Sequence, residues 1–164
     1  MANVIIAASA YEFVLALHIM AVVLAFGWTF ALPVMYYVAR GHARRSLPTI
    51  HRIEYTSMRI LLNPALVVIL AAGIFLAGEG HHWSEFFVQW GLAVVVLIGG
   101  LVGAVMIPTA KRAEEAALED LDGAGGADPE PGARYLALVR RLNLVGSLLW
   151  LLVLLTILFM VVKP

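Results

Sequence analysis

The residues of this chain that could do chemistry are the few polar side chains set in long apolar stretches. His18 stands in the first of these, where polar groups are costly and face the interior of a helix bundle. Three roles are open to a neutral imidazole there: an axial ligand to heme iron, a ligand to another metal, or a hydrogen-bonding partner between helices. Met160, near the end of the last apolar stretch, is the candidate second axial ligand, because histidine–methionine ligation is established heme chemistry. Gln89 lies at a comparable depth and is expected to share the layer of His18. Met20 is only two positions from His18, so the two point to different sides of a helix and do not make a copper pair. His81 and His82, between Glu79 and Glu85, read as a solvated loop rather than a metal site.

A second polar set lies at the opposite end of the apolar stretches. Tyr55, Arg59 and Asn63 are spaced i, i+4, i+8 and share one helix stripe; Arg140, Asn143 and Ser147 are spaced i, i+3, i+7 and share another. If the stripes face each other, they form a basic, hydrogen-bonding pocket at the membrane boundary. The competing reading has the arginines snorkelling to phospholipid headgroups while Asn63 bonds carbonyls freed by Pro64.

Long apolar helices must position these groups. Of 164 residues, 62% are hydrophobic and 13% charged, against the roughly 25% charge of a soluble domain. Four stretches without charge, 13–38, 60–78, 86–107 and 144–162, mark spans of about 12–39, 59–78, 86–108 and 143–162 and approach or exceed the ~20 residues that cross a bilayer. The first has no basic n-region and is too long for a signal sequence, so it reads as a span of the mature protein. The fold expected is all-α: one domain, a four-transmembrane-helix bundle. Arg40, Arg44, Arg45, Arg52 and Arg59 fall in the first connection and Lys111, Arg112, Arg134, Arg140 and Arg141 in the third, leaving only Lys163 elsewhere. The positive-inside bias then places loops 40–58 and 109–142 in the cytoplasm of a bacterial inner membrane, and both termini outside.

Pro33 and Pro64 are expected to kink the first and second helices, and Pro48 to sit in the first turn of the second. Gly99 and Gly103 have small-xxx-small spacing. The stretch 122–132, rich in Gly, Asp and Pro, reads as a flexible linker after a helical extension. The absence of cysteine excludes disulfides and thiolate chemistry. The basic residues hug the membrane, so nothing points to nucleic acid, and no paired half-spans point to a transporter.

Taken together, Leu17-His18-Ile19 with Pro33, Glu54-x4-Arg59-x4-Pro64-Ala65-x7-Gly73, Arg140-x2-Asn143 and the ending Val161-Val162-Lys163-Pro164 carry a resemblance. The chain resembles the small bacterial membrane protoporphyrinogen oxidases of heme biosynthesis, and a bacterial integral-membrane family of unknown function with a similar Lys-Pro tail. The resemblance implies a heme-binding helix bundle with His18 as ligand and with roles for Glu54, Arg59, Arg140 and Asn143. Where the oxidase pattern has an arginine after the first-helix proline, a His-x-Lys pair and a fourth-helix glutamate, this chain has Val34, Gln89-Trp90-Gly91 and Leu144. Those charges would anchor porphyrin propionates and move protons.

The first functional expectation is therefore a heme b-binding or redox membrane protein with His18 as axial ligand, working with a quinone or a redox partner protein. The alternative is a non-enzymatic membrane subunit or accessory protein without cofactor, and a homo-oligomer fits either reading. Protoporphyrinogen oxidase activity ranks third, since its charged groups are missing.

Overall fold

The computed structural model describes residues 2–42, 44–125 and 130–163, with side chains described for 10–41, 44–125 and 130–163. Among these residues the chain is all helix. Helix α1 (Ala2–Gly27) continues through a single 3-10 turn (Trp28–Phe30) into α2 (Ala31–His42). After a second short turn, α3 (Leu47–Ser57) runs through a π-turn (Met58–Leu62) into α4 (Asn63–Glu79). The third rod repeats this plan as α5 (Phe86–Leu101), a π-turn (Val102–Met106) and α6 (Ile107–Gly123), and α7 (Ala133–Val162) is the fourth. As expected, Pro48 occupies the first turn of α3. The expected linker at 122–132 is shorter than its composition suggested, because α6 reaches Gly123; residues 126–129 lie outside the described set.

Each interior proline is preceded by a break in the α pattern. Proline lacks the amide that would bond four residues back, and its ring crowds that carbonyl. Ahead of Pro64 and Pro108, the amides of Asn63 and Ile107 reach back five residues, to Met58 O and Val102 O. Ahead of Pro33, Ala31 N bonds Trp28 O across three, and the Thr29 hydroxyl donates to Phe26 O at 2.6 Å. A π or 3-10 turn thus re-satisfies backbone groups that lipid could not. Asn63 contributes through its backbone amide, not through the side-chain cap expected from sequence.

The four rods are 32, 36, 38 and 30 residues long within Ala10–Gly41, Arg44–Glu79, Phe86–Gly123 and Ala133–Val162, each apolar enough to cross a membrane. At 1.5 Å per residue the second and third extend about 55 Å, nearly twice a hydrocarbon core of ~30 Å. Their surplus lies at the basic end, so the structure has two tiers. In the apolar tier α1 packs on α4 along Ala21, Ala25, Ala65 and Ile69, where small side chains let backbones approach. In the basic tier α3 packs on α6 through Leu47 and Ile50 against Ala116 and Ala117, with Tyr135 and Val139 of α7 completing a separate small core. Large apolar side chains such as Phe13, Ile60, Val67 and Val161 face outward, between 67% and 75% exposed, an arrangement that only an apolar solvent favours. The expected four-helix membrane bundle is what the chain forms.

Candidate functional site

The bundle has a candidate site in each tier. At the end opposite the basic loops, a cavity of about 590 Å³ lies among all four rods and is lined by His18, Gly73, Gly91, Thr156, Met160 and Lys163, among others. His18 Nδ1 lies 3.1 Å from Ile69 O of α4. A carbonyl only accepts, so Nδ1 carries the proton and Nε2 is left as a lone-pair donor. Met160 reaches the same cavity from α7, its Cε packed so tightly over Gly91 that a Cβ there would come within 2.7 Å. The absence of a side chain at Gly91 is what gives the thioether its place.

Gln89 does not join this layer. Its amide nitrogen donates to Trp83 O at 3.3 Å on the exposed side of α5, about 100° round the helix from the cavity-lining Val88. The neighbouring Trp90 bonds across the bundle, its indole nitrogen donating to the Thr156 hydroxyl at 3.0 Å. Among the described residues no group of three or more His, Asp or Glu assembles to hold a metal, and the other histidine lining this cavity is His82. Heme asks less of a protein, since four of its iron ligands are its own.

At the basic end the two polar stripes do not meet. Arg140, Asn143 and Ser147 border a cleft of about 270 Å³ shared with Arg40 of α2, whereas Arg59 is exposed and neither Tyr55 nor Asn63 lines it. Across this cleft the α7 stripe faces Arg40 of α2, while the backbone of α7 packs on α5 and α6 of the third rod. Asn143 and Ser147 also border a larger cavity of about 700 Å³ with Tyr36, His51, Glu54 and Trp150.

This larger cavity has a polar wall of which the sequence pointed only to Glu54, through the resemblance, and not to its partners. His51 and Glu54, an i, i+3 pair on α3, are 0% and 3% exposed. The Tyr36 hydroxyl donates to Glu54 Oε2 at 2.5 Å and lies 2.7 Å from His51 Nδ1, which is itself 3.1 Å from the same carboxylate oxygen. His51 Nε2 lies 3.3 Å from the Tyr135 hydroxyl of α7. With the Tyr36 proton given to Glu54, Nδ1 carries a proton toward both oxygens and Nε2 accepts from Tyr135, so all four groups are satisfied. Three rods contribute to one connected network. Glu54 therefore neither pairs with an arginine nor faces water. The arginine on its far side, Arg52, turns outward to Glu114 of α6 at 3.0 Å.

Comparison of this chain with known protein families, with curated proteins and with solved structures finds no match.

Proposed function

We propose that this chain is a heme b-binding protein of the bacterial inner membrane, with His18 as one axial ligand and Met160 as the other. The observation that carries the reading is the His18–Ile69 bond. Histidines that ligate iron or zinc characteristically donate their second ring nitrogen to a carbonyl or carboxylate, which orients the ring and raises the basicity of the ligating nitrogen. Here that bond is already made, and the remaining nitrogen belongs to a cavity whose size falls within the ~300–1,000 Å³ of cofactor sites. The residues present suit the group: an imidazole, a thioether, apolar walls, and Lys163 beside the cavity to meet a propionate. Heme in this position would supply one-electron redox chemistry.

The chain's own residues bind and orient. No Asp or Glu lines the cavity, so no carboxylate stands ready to take protons from a porphyrinogen ring. Electron carriage or heme binding thus fits better than oxidase catalysis. The orientation that accompanies this reading has 40–58 and 109–142 in the cytoplasm, by the positive-inside bias.

A second reading rests on the third rod. Gly99, Gly100 and Gly103 have open space beside them, a small-residue face that suits association with another membrane helix, either a second copy or a larger complex. A cofactor-free subunit would use that face alone. Absorption spectra of the detergent-purified protein, oxidised and reduced, separate the two. A Soret band that His18→Ala abolishes or shifts supports the heme reading. A colourless protein that stays colourless with added hemin overturns it.

A further inference from the structure

The cavity at the basic end has a construction of its own. It lies between the first and fourth rods, which make few close backbone approaches, and most of its wall is apolar: Met58, Leu62, Val102, Met106, Leu149 and Val153. Its border includes Tyr37, 81% exposed on the membrane-facing flank, so a ligand arriving through lipid meets an opening rather than a sealed core. One end alone is polar. There Tyr36, Arg40, Asn143 and Ser147 meet the cavity, beside the mutually bonded His51 and Glu54.

Each feature narrows the ligand. The apolar wall and flank opening select a lipid-soluble molecule. The single polar end asks for one hydrogen-bonding head on an apolar body. An acyl chain has no use for a buried acid–imidazole–phenol network, whose burial is costly unless every member is bonded. Arg40 and Glu54 both border this end, so an anionic headgroup would gain beside the one what it loses beside the other. A neutral ring bearing carbonyl or hydroxyl oxygens is the class that a phenol, an amide and a hydroxyl hold without charge repulsion, and Trp150 supplies an aromatic neighbour.

We propose that this cavity binds the head ring of a lipid-soluble quinone, one ring oxygen accepting from the Asn143 side-chain amide and the tail leaving past Tyr37 into the bilayer. The site is separate from the His18 cavity and stands whether or not heme is bound there. The test uses the full-length protein in nanodiscs titrated with decylubiquinone, read as tryptophan fluorescence. Saturable quenching is expected, and it loses the Trp150 share in Trp150→Phe. Gly146 lines the cavity, and a Cβ there would meet nothing closer than the Met106 Cε at 4.0 Å, so Gly146→Leu fills the space without disturbing the packing. That variant is expected to weaken binding more than tenfold while keeping the helical circular dichroism of the parent. Asn143→Leu is expected to weaken it about five- to tenfold, the cost of one hydrogen bond. His18→Ala is expected to bind as the parent does. Quenching that never saturates, or that survives Gly146→Leu, overturns the proposal. Saturable quenching that Asn143→Leu leaves unchanged also overturns it, and points to a cavity that takes any acyl chain.

Discussion

Glu54 carries the largest electrostatic liability in the chain: a carboxylate 3% exposed, sealed between three helices. It is tolerable only because Tyr36 and His51 both reach the same oxygen, and because His51 is held from behind by Tyr135. Removing one partner of such a network costs more than removing both, since the survivor keeps its desolvation penalty without its bond. His51→Leu is therefore expected to destabilise the protein by about 3 kcal/mol, and the double variant His51→Leu/Glu54→Leu to recover a good part of that loss. Thermal denaturation in detergent measures both, and a double variant that is additively worse refutes the network. These four residues were only partly legible beforehand. His51 and Glu54 show as an i, i+3 pair in the sequence, but Tyr36 and Tyr135 lie fifteen and eighty-four residues from His51, and nothing local marks either as its partner. The opposite holds for His18. A lone imidazole in an apolar stretch stands out at once, although its bond to Ile69 O required knowing that α1 packs on α4.

At the scale of the element, the π-turns decide how the two tiers share one helix. A π-turn inserts one extra residue into an α-helix, so the faces on either side keep their relation only if that residue stays or is removed cleanly. On the second rod, α4 presents Ala65, Leu66 and Ile69 to the apolar tier, while α3 presents Ile50, His51 and Glu54 to the basic one. Deleting Ile60 from the π-turn, with Pro64→Ala to remove the clash that a regular helix would suffer, is expected to leave both faces aligned and the melting temperature within a few degrees. Deleting Ile74, an exposed residue in regular α4, should rotate the rest of the rod by about 100° and abolish the folded state. Equal tolerance of both deletions, measured by thermal shift and size-exclusion profile, would remove the π-turns from this account. The prolines themselves were plain in the sequence, as was a disturbance ahead of Pro33 and Pro64. What composition does not encode is the kind of turn, because 3-10 and π turns both accommodate the missing proline amide and differ in how the flanking faces must align.

For the whole molecule, charge and length together determine which way the chain sits. The apolar spans were legible because bilayer thickness imposes a length that no soluble core requires; the span limits at 59 and 108 mark where charge begins, and the helices expected beyond them, from Pro48 and after Pro108, are present. The helices do not stop there: α3 and α6 carry Arg52, Glu114 and Glu115 well beyond the apolar tier and pack on each other outside it. Charged side chains end a span without ending a helix, so hydropathy marks the membrane and not the element. The basic tier also holds all the arginines, which makes its side of the membrane testable independently of any ligand. The chain has no cysteine, so single cysteines report position without background. Ser84→Cys, in the short turn between α4 and α5, is expected to react with a membrane-impermeant maleimide in spheroplasts. Glu115→Cys, on the α6 extension, is expected to react only after the membrane is opened. The reverse pattern would invert the bundle, putting the His18 cavity on the cytoplasmic side and the Tyr36–His51–Glu54 cavity on the other. Reactivity of both from outside would mean that the four rods do not cross as a bundle at all.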